Sequence, residues 1–205
     1  MNKPIFCIVG ESGAGKSTYL DLVVNSKELN IKPLKYYTTR SKRYKEEDGY
    51  YFVDENKFAE EFKKDNIIEY RLYSKYYESV YYFTTYDNID IEDCDALICA
   101  ASVSQALAYR EKLDNVYIID LKVELKERLY RLLDRANSNK EVLEICRRMV
   151  EERKEYSKLE SVNDNIIHIY NDNTKYQFNN TGDMLYCMIT TTNLLTIIEY
   201  IKSHI

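Results

Sequence analysis

The sequence is sparing with the residues that interrupt regular structure. Its 205 residues include five glycines, two prolines, two histidines and no tryptophan. There is accordingly no Pro-, Gly- or Ser-rich linker and no low-complexity stretch. Two histidines and five scattered cysteines (7, 94, 99, 146 and 187), with no CxxC pair, do not make a zinc site. They argue instead for reduced thiols in a cytoplasmic protein. Long apolar runs are also missing. The run 5–9 is too short for a signal-peptide core. The stretch 184–201 carries four threonines and Glu199, so it is expected as a buried helix and not a membrane span. Positive charge is not in excess either, with 29 Lys and Arg against 34 Asp and Glu and a net charge of −5. A broad electrostatic footprint for nucleic acid is excluded on that balance, and any anion must be held by a local cluster of donors.

What is present is ordinary globular composition, 45% hydrophobic and 31% charged, in a chain long enough to bury about 70% of its extended surface. The 21 tyrosines against six phenylalanines read as compositional bias. Apolar strand patterns at 4–9, 96–101, 116–121 and 166–170 alternate with helical patterns at 16–25, 124–135, 140–159 and 184–203. Core strands followed by helices predict a three-layer α/β/α fold around a parallel sheet. The segment 34–87 breaks this rhythm. Its strands (34–39, 50–53, 67–72 and 76–83) are short and polar on one side, and Asp54 is placed to cap a helix through residue 64. It is expected to be an insertion of mostly antiparallel strands, within a core formed by 1–33 and 88–205.

Three of the five glycines fall within six residues, in Gly10-Glu11-Ser12-Gly13-Ala14-Gly15-Lys16-Ser17. This satisfies GxxxxGK[ST], the phosphate-binding loop, and it lies between a predicted strand and a predicted helix. Glycines let consecutive N–H groups curl around an anion while the helix N-terminus adds partial positive charge. Lys16 is placed for the β- and γ-phosphates, and the Ser17 hydroxyl for Mg²⁺. Gly10, Ser12, Gly13, Ala14, Gly15, Lys16, Ser17 and Thr18 are therefore the candidate ATP-binding residues. The Lys16 side chain is expected to face solvent. Asn139-Lys140-Glu141-Val142 lacks the aspartate of a GTPase base-reading element. His168, in an apolar strand pattern, is expected to be a partly buried structural residue.

A second constellation follows about 20 residues on, Thr38-Thr39-Arg40-Ser41-Lys42-Arg43, with Glu46, Gly49 and Tyr50 beyond it. A turn here aims two guanidinium forks at one dianionic phosphate. A solvated loop, with its basic half (40–45) paired to its acidic half (46–48), is the plainer alternative.

With these motifs, together with Ile68-Glu69-Tyr70, Tyr76-Tyr77-Glu78-Ser79, Arg147-Arg148-Met149 and Ile169-Tyr170-Asn171-Asp172, the chain resembles the guanylate kinase family over nearly its whole length. The resemblance implies a P-loop core, the 34–87 insertion as a nucleoside monophosphate site, and a helical lid at about 128–150. It implies ATP and Mg²⁺ as cofactors, with transfer to a nucleoside monophosphate, GMP or dGMP. It places Arg40, Arg43, Tyr50 and Tyr77 on the acceptor phosphate, and Glu69 and Ser79 near the base. Lys16, Arg135 and Arg148 would act on the transferring phosphoryl, and Asn171 would lie near adenine. Arg128, Arg131 and Arg135 share one helical face. The chain departs from the family where a base-reading serine is replaced by Tyr36, and where the Asp-x-Asp pair is replaced by Cys99 and Ala101. Another monophosphate or a ribosyl phosphate is therefore an alternative acceptor, and a silent binding module an alternative function.

Overall fold

The computed structural model describes residues 3–42, 44–75, 78–90, 93–159, 162, 164–171 and 182–205, with 74, 75, 78 and 182–190 as backbone alone. Strand β1 (Ile5–Val9) is completely buried and lies at the centre of a five-stranded parallel sheet. The sheet also contains β2 (Ile31–Pro33), β7 (Ala96–Ala100), β8 (Val116–Lys122) and β9 (Ile166–Tyr170), in the order β2-β7-β1-β8-β9. Alternate side chains of β1 enter two different cores, as the twofold period of a strand requires. Ile5, Cys7 and Val9 pack toward α3 (Val103–Lys112) among Leu97, Val103, Ala106 and Tyr109. Phe6 and Ile8 pack on the other face with Tyr19 and Val23 of α1 (Lys16–Val24) and Ile197 and Ile201 of α6 (Gly182–Lys202). The result is the expected three-layer α/β/α architecture.

A smaller sheet, ordered β4-β3-β6-β5, is formed by β3 (Tyr36–Thr38), β4 (Tyr50–Phe52), β5 (Ile67–Lys75) and β6 (Glu78–Thr85). Its pairing is mixed. β5–β6 and β3–β6 are antiparallel, as expected for the insertion, but β3–β4 is parallel because the loop 39–49 carries the chain back before β4 begins. Helix α2 (Glu55–Lys63) starts where the Asp54 carboxylate accepts from the Lys57 N–H, and Phe58 stacks on Tyr81 with ring centres 3.9 Å apart. Two polar ties fix this sheet to the core. The Thr84 and Tyr109 hydroxyls are 2.6 Å apart, and Arg71 Nη2 donates to Gln105 Oε1 at 2.6 Å. Both run from the β5–β6 hairpin to α3, and they set where the insertion stands relative to β1.

Two further helices, α4 (Leu125–Asp134) and α5 (Asn139–Tyr156), follow β8. His168, expected to be partly buried, is exposed because β9 is an edge strand; its Nδ1 lies 2.7 Å from the buried Asp120 carboxylate. Among the described residues, no helix is long and apolar enough to cross a membrane.

Candidate active site

The loop after β1 turns on glycines in conformations that L side chains rarely adopt. Gly13 has φ +85, and a Cβ there would stand 2.9 Å from the Arg128 carbonyl oxygen of α4. Gly15, with φ +98, caps α1 without any side-chain hydrogen bond, so the first N–H groups of that helix are left for an incoming anion.

The loop carbonyls are held from outside. Arg128 Nη1 reaches Ser12 O at 3.5 Å, and its Nη2 pairs with Glu11 at 2.8 Å. Arg131 donates to Gly13 O at 3.1 Å and to Asn171 O at 3.2 Å. The Asn171 amide is buried, donating to Ala14 O at 3.0 Å while its oxygen accepts from the Tyr19 hydroxyl at 3.1 Å. Two arginines and an asparagine thus occupy carbonyl oxygens of the loop and its flanks.

Cationic and carboxylate side chains meet at the open side of the loop, among them Lys16, Arg148 and Glu152. Lys16 does not face solvent as expected. It folds back so that Nζ donates to Gly10 O at 2.6 Å, and burial lowers its pKa, with Arg148 and Arg128 acting in the same direction and Glu152 opposing. The reason is local: the main-chain carbonyls of Gly10 and Glu11 lie within its reach, at 2.6 and 3.4 Å. Glu152, on α5, grips the loop through both oxygens. It accepts from the Ser12 N–H at 2.6 Å and from the Ser12 hydroxyl at 2.5 Å. Glu155, one residue short of the next turn, accepts from the Ser104 N–H at the start of α3 at 2.8 Å. Ser17 and Thr18 are exposed on the first turn of α1. No cluster of three or more acidic, His or Cys side chains among the described residues would hold a metal by itself. The exposed Ser17 hydroxyl therefore fits Mg²⁺ only in the way Mg²⁺ usually binds, with one or two protein oxygens and the phosphates supplying the rest.

A cavity of about 510 Å³ opens beside Lys16, lined by Ser12, Tyr50, Arg71, Tyr73, Ala101, Arg148 and Glu152 among others. A second, of about 540 Å³, is lined by Arg40, Tyr50, Arg71, Tyr73, Val80, Tyr82 and Arg148. Tyr50, Arg71, Tyr73 and Arg148 border both, so the cavities adjoin. Arg40 is held by Glu47 in a two-pronged pair (Nη2–Oε1 2.8 Å, Nη1–Oε2 3.1 Å) and by the Tyr82 hydroxyl at 3.1 Å. Pairing of the basic half of this loop with its acidic half is thus realised, and it leaves Arg40 on the cavity wall.

Of the residues singled out in the sequence, the structure brings Gly10, Ser12, Lys16, Arg40, Tyr50 and Arg148 around the two cavities. Glu69 lies behind Arg71, its Oε1 3.3 Å from Arg71 Nε, and burial raises its carboxyl pKa against the opposing pull of that guanidinium. Arg135 is exposed at the end of α4, away from both cavities, and Ser79 is exposed on β6. Arg43 and Tyr77 lie outside the described residues, as does most of the polar stretch 174–182. Sequence reasoning missed Arg71, Tyr73, Glu152 and Glu155. Arg71 and Tyr73 follow Glu69 at intervals of two along β5, a spacing that puts all three on one face of the strand. Glu152 and Glu155 gave no such signal.

A family profile for guanylate kinase matches residues 1–178. The chain belongs to the guanylate kinase family. Curated guanylate kinases resemble it at modest identity. That of Syntrophomonas wolfei is 31% identical over 145 residues, covering 68% of this chain and 72% of the relative. That of Lactobacillus johnsonii is 28% identical over 161 residues, covering 76% of each. The match to the Mycoplasmopsis synoviae guanylate kinase, 37% identical over 90 residues, spans only 43% of either protein. The crystal structure of guanylate kinase from Anaplasma phagocytophilum superimposes with a TM-score of 0.52 at 18% identity, covering 93% of this chain and 86% of that one, and shows the same fold.

Proposed function

We propose that this guanylate kinase family chain transfers the γ-phosphoryl of ATP to a nucleoside monophosphate, GMP or dGMP. The observation that carries the reading is the joining of two cavities, one floored by the phosphate-binding loop and Lys16, the other walled by Arg40 and Tyr50, with Arg148 on both. A donor and an acceptor phosphate held there face each other across a shared wall. Phosphoryl transfer then needs positioning and charge neutralisation more than covalent help.

In this reading the loop amides and Lys16 hold the triphosphate, Lys16 leaving Gly10 O to do so. Ser17 would be the protein ligand to Mg²⁺, which would supply neutralisation of phosphate charge. Arg40, with Arg43, Tyr50 and Tyr77, holds the acceptor phosphate so that one of its oxygens attacks γ-phosphorus as the β–γ bridging bond breaks. Arg148 and Arg135 belong to a lid, about 128–150, whose closure excludes water. Asn171 braces the loop from behind and stands on the adenine side. The insertion, 34–87, carries the acceptor, with Glu69 and Ser79 toward its base. A cytoplasmic site of action is part of the proposal, supported by the buried thiols Cys7 and Cys99.

A coupled ADP-release assay with ATP and Mg²⁺ tests this, with turnover of GMP or dGMP as the expected result. Because Tyr36, Cys99 and Ala101 stand where the family's base-reading side chains are expected, a panel of other monophosphates belongs in the same assay. Turnover of one of those alone keeps the kinase and removes the guanine assignment. No turnover, and no Mg²⁺-dependent ATP binding by calorimetry, leaves only a binding module.

A further inference from the structure

Arg71 occupies a position in the acceptor cavity that the sequence motifs did not assign. Its side chain emerges from β5 two residues after Glu69, and it lines both cavities, sharing the smaller set of walls with Arg40. Its guanidinium is anchored on one side only. Nη2 donates to Gln105 Oε1 at 2.6 Å, and Nε lies 3.3 Å from Glu69 Oε1, close enough for charge pairing but off the line of a hydrogen bond. No described residue accepts a hydrogen bond from Nη1, and the second Nη2 hydrogen has no described partner either. Nη1 and one Nη2 N–H of the fork are therefore left for an incoming acceptor. Glu69 is in a matching situation: its side chain is 9% exposed, no described residue donates a hydrogen bond to its carboxylate, and it does not itself line either cavity.

Other charges stand nearby: Arg148 lines both cavities with Arg71, Glu152 and Glu155 line the one beside Lys16, and Glu155 lies within electrostatic reach of Arg71. Cys99 and Ala101 bring thiol and methyl where carboxylates would otherwise compete for the guanidinium, and the Tyr36 hydroxyl is turned to the Ala100 carbonyl at 3.3 Å. Tyr73, Val80 and Tyr82 supply flat and apolar walls. Arg40 stands in the same cavity, so the anionic end of a ligand is provided for separately.

We infer that Arg71 is the residue that selects the base of the acceptor, and that it selects a 6-oxopurine. This rests on the monophosphate kinase reading above. An open guanidinium edge matches two neighbouring acceptors, which guanine and hypoxanthine present at O6 and N7; adenine presents N7 beside an amino donor at position 6, which meets the fork donor to donor. Glu69 and Gln105 hold the fork in place. Selectivity thus moves from the carboxylates this chain lacks to a cation it possesses, and the 6-substituent is read more strictly than the 2-amino group.

The test measures kcat/KM and calorimetric affinity for GMP, IMP and AMP in the wild type and in Arg71→Ala. The wild type is expected to accept GMP and IMP and to disfavour AMP by about 100-fold. Arg71→Ala is expected to lose about 10- to 100-fold for GMP and IMP, mainly in KM, while AMP changes little, so that the preference collapses. Arg71→Lys, which keeps the charge beside Glu69 but not the fork, is expected to lose most of the preference too and serves if the alanine variant does not fold. An unchanged preference in a folded variant overturns the inference. An equal loss for all three nucleotides also overturns it, because Arg71 would then hold phosphate. GMP that binds but is never phosphorylated removes the kinase reading, while the binding ratios still decide the role of Arg71. No binding of any of the three removes both.

Discussion

The two proposed phosphate sites are built from different materials. On the donor side the contacts belong to the backbone: N–H groups of a glycine loop and an uncapped helix end, with carbonyls held outward by Arg128 and Arg131. On the proposed acceptor side they belong to side chains, Arg40 and Tyr50, carried by a small sheet bound to the core through Thr84–Tyr109 and Arg71–Gln105. Backbone geometry tolerates changes of side chain and is destroyed by an added Cβ; a side-chain site behaves the other way round. One chain can therefore keep its donor loop unaltered while its acceptor pocket is rewritten.

Removing the cationic side chain of the phosphate-binding loop itself is expected to have the largest effect. Lys16→Ala should lower turnover with GMP by about 1000-fold or more, read by ADP release, because no backbone group replaces that charge on the transferring phosphoryl. The part-buried ammonium spends its hydrogen bonds on loop carbonyls, so the loss of stability should stay small. Next in size, Gly13→Ala combines a strained φ with a contact of 2.9 Å to the Arg128 carbonyl. It should cost about 2–4 kcal/mol in urea unfolding and abolish ATP binding. A well-folded, ATP-binding Gly13→Ala would break the contrast between the two sides.

Arg40→Ala probes the other material. It should raise KM for GMP by about 10- to 100-fold and leave KM for ATP within about twofold, because one fork of a paired phosphate site is lost. A smaller effect of opposite sign is expected for Glu152→Ala. This variant removes an internal rival of the triphosphate and should lower KM for ATP by about three- to tenfold. A raised KM would make Glu152 part of the site and not its competitor.

Smallest of all is an acid effect confined to the insertion. Lys57 and Asn66, with Lys64, hold the buried Glu61 carboxyl at about 2 against an ordinary 4.5. A carboxyl lowered in the folded state stabilises above its unfolded pKa, and that stability is lost as pH falls from about 4.5 toward 2. Urea midpoints measured at decreasing pH should fall more steeply for the wild type than for Glu61→Gln.

The same contrast explains what the sequence made legible. The donor loop could be read because its geometry demands glycine, and in a chain with five glycines three of them together are conspicuous. β1 and its neighbours could be read because strands buried on both faces are continuously apolar. Strand β2 passed unnoticed, being three residues long and ending in Pro33 at a sheet edge. The parallel β3–β4 pairing was not foreseeable, since alternation along a strand carries no information on its direction. Arg40 was visible through its motif, but its embrace by Glu47 could be read only as one of two possibilities. Where Lys16 rests, what Glu152 touches and which edge of Arg71 stays open depend on packing between elements far apart in the chain.

Glu152 changes the accounting of how a nucleotide arrives. With a carboxylate already seated on the Ser12 N–H and hydroxyl, a triphosphate bound as proposed would not add to a bare cationic cradle but would be exchanged for a tethered anion. The electrostatic work is the difference between two anions, and its dependence on ionic strength is correspondingly shallower than the full charge of the ligand implies. The same helix also carries Glu155, which accepts from the Ser104 N–H at the start of α3, so α5 is tied by carboxylates to the loop and to the core at once.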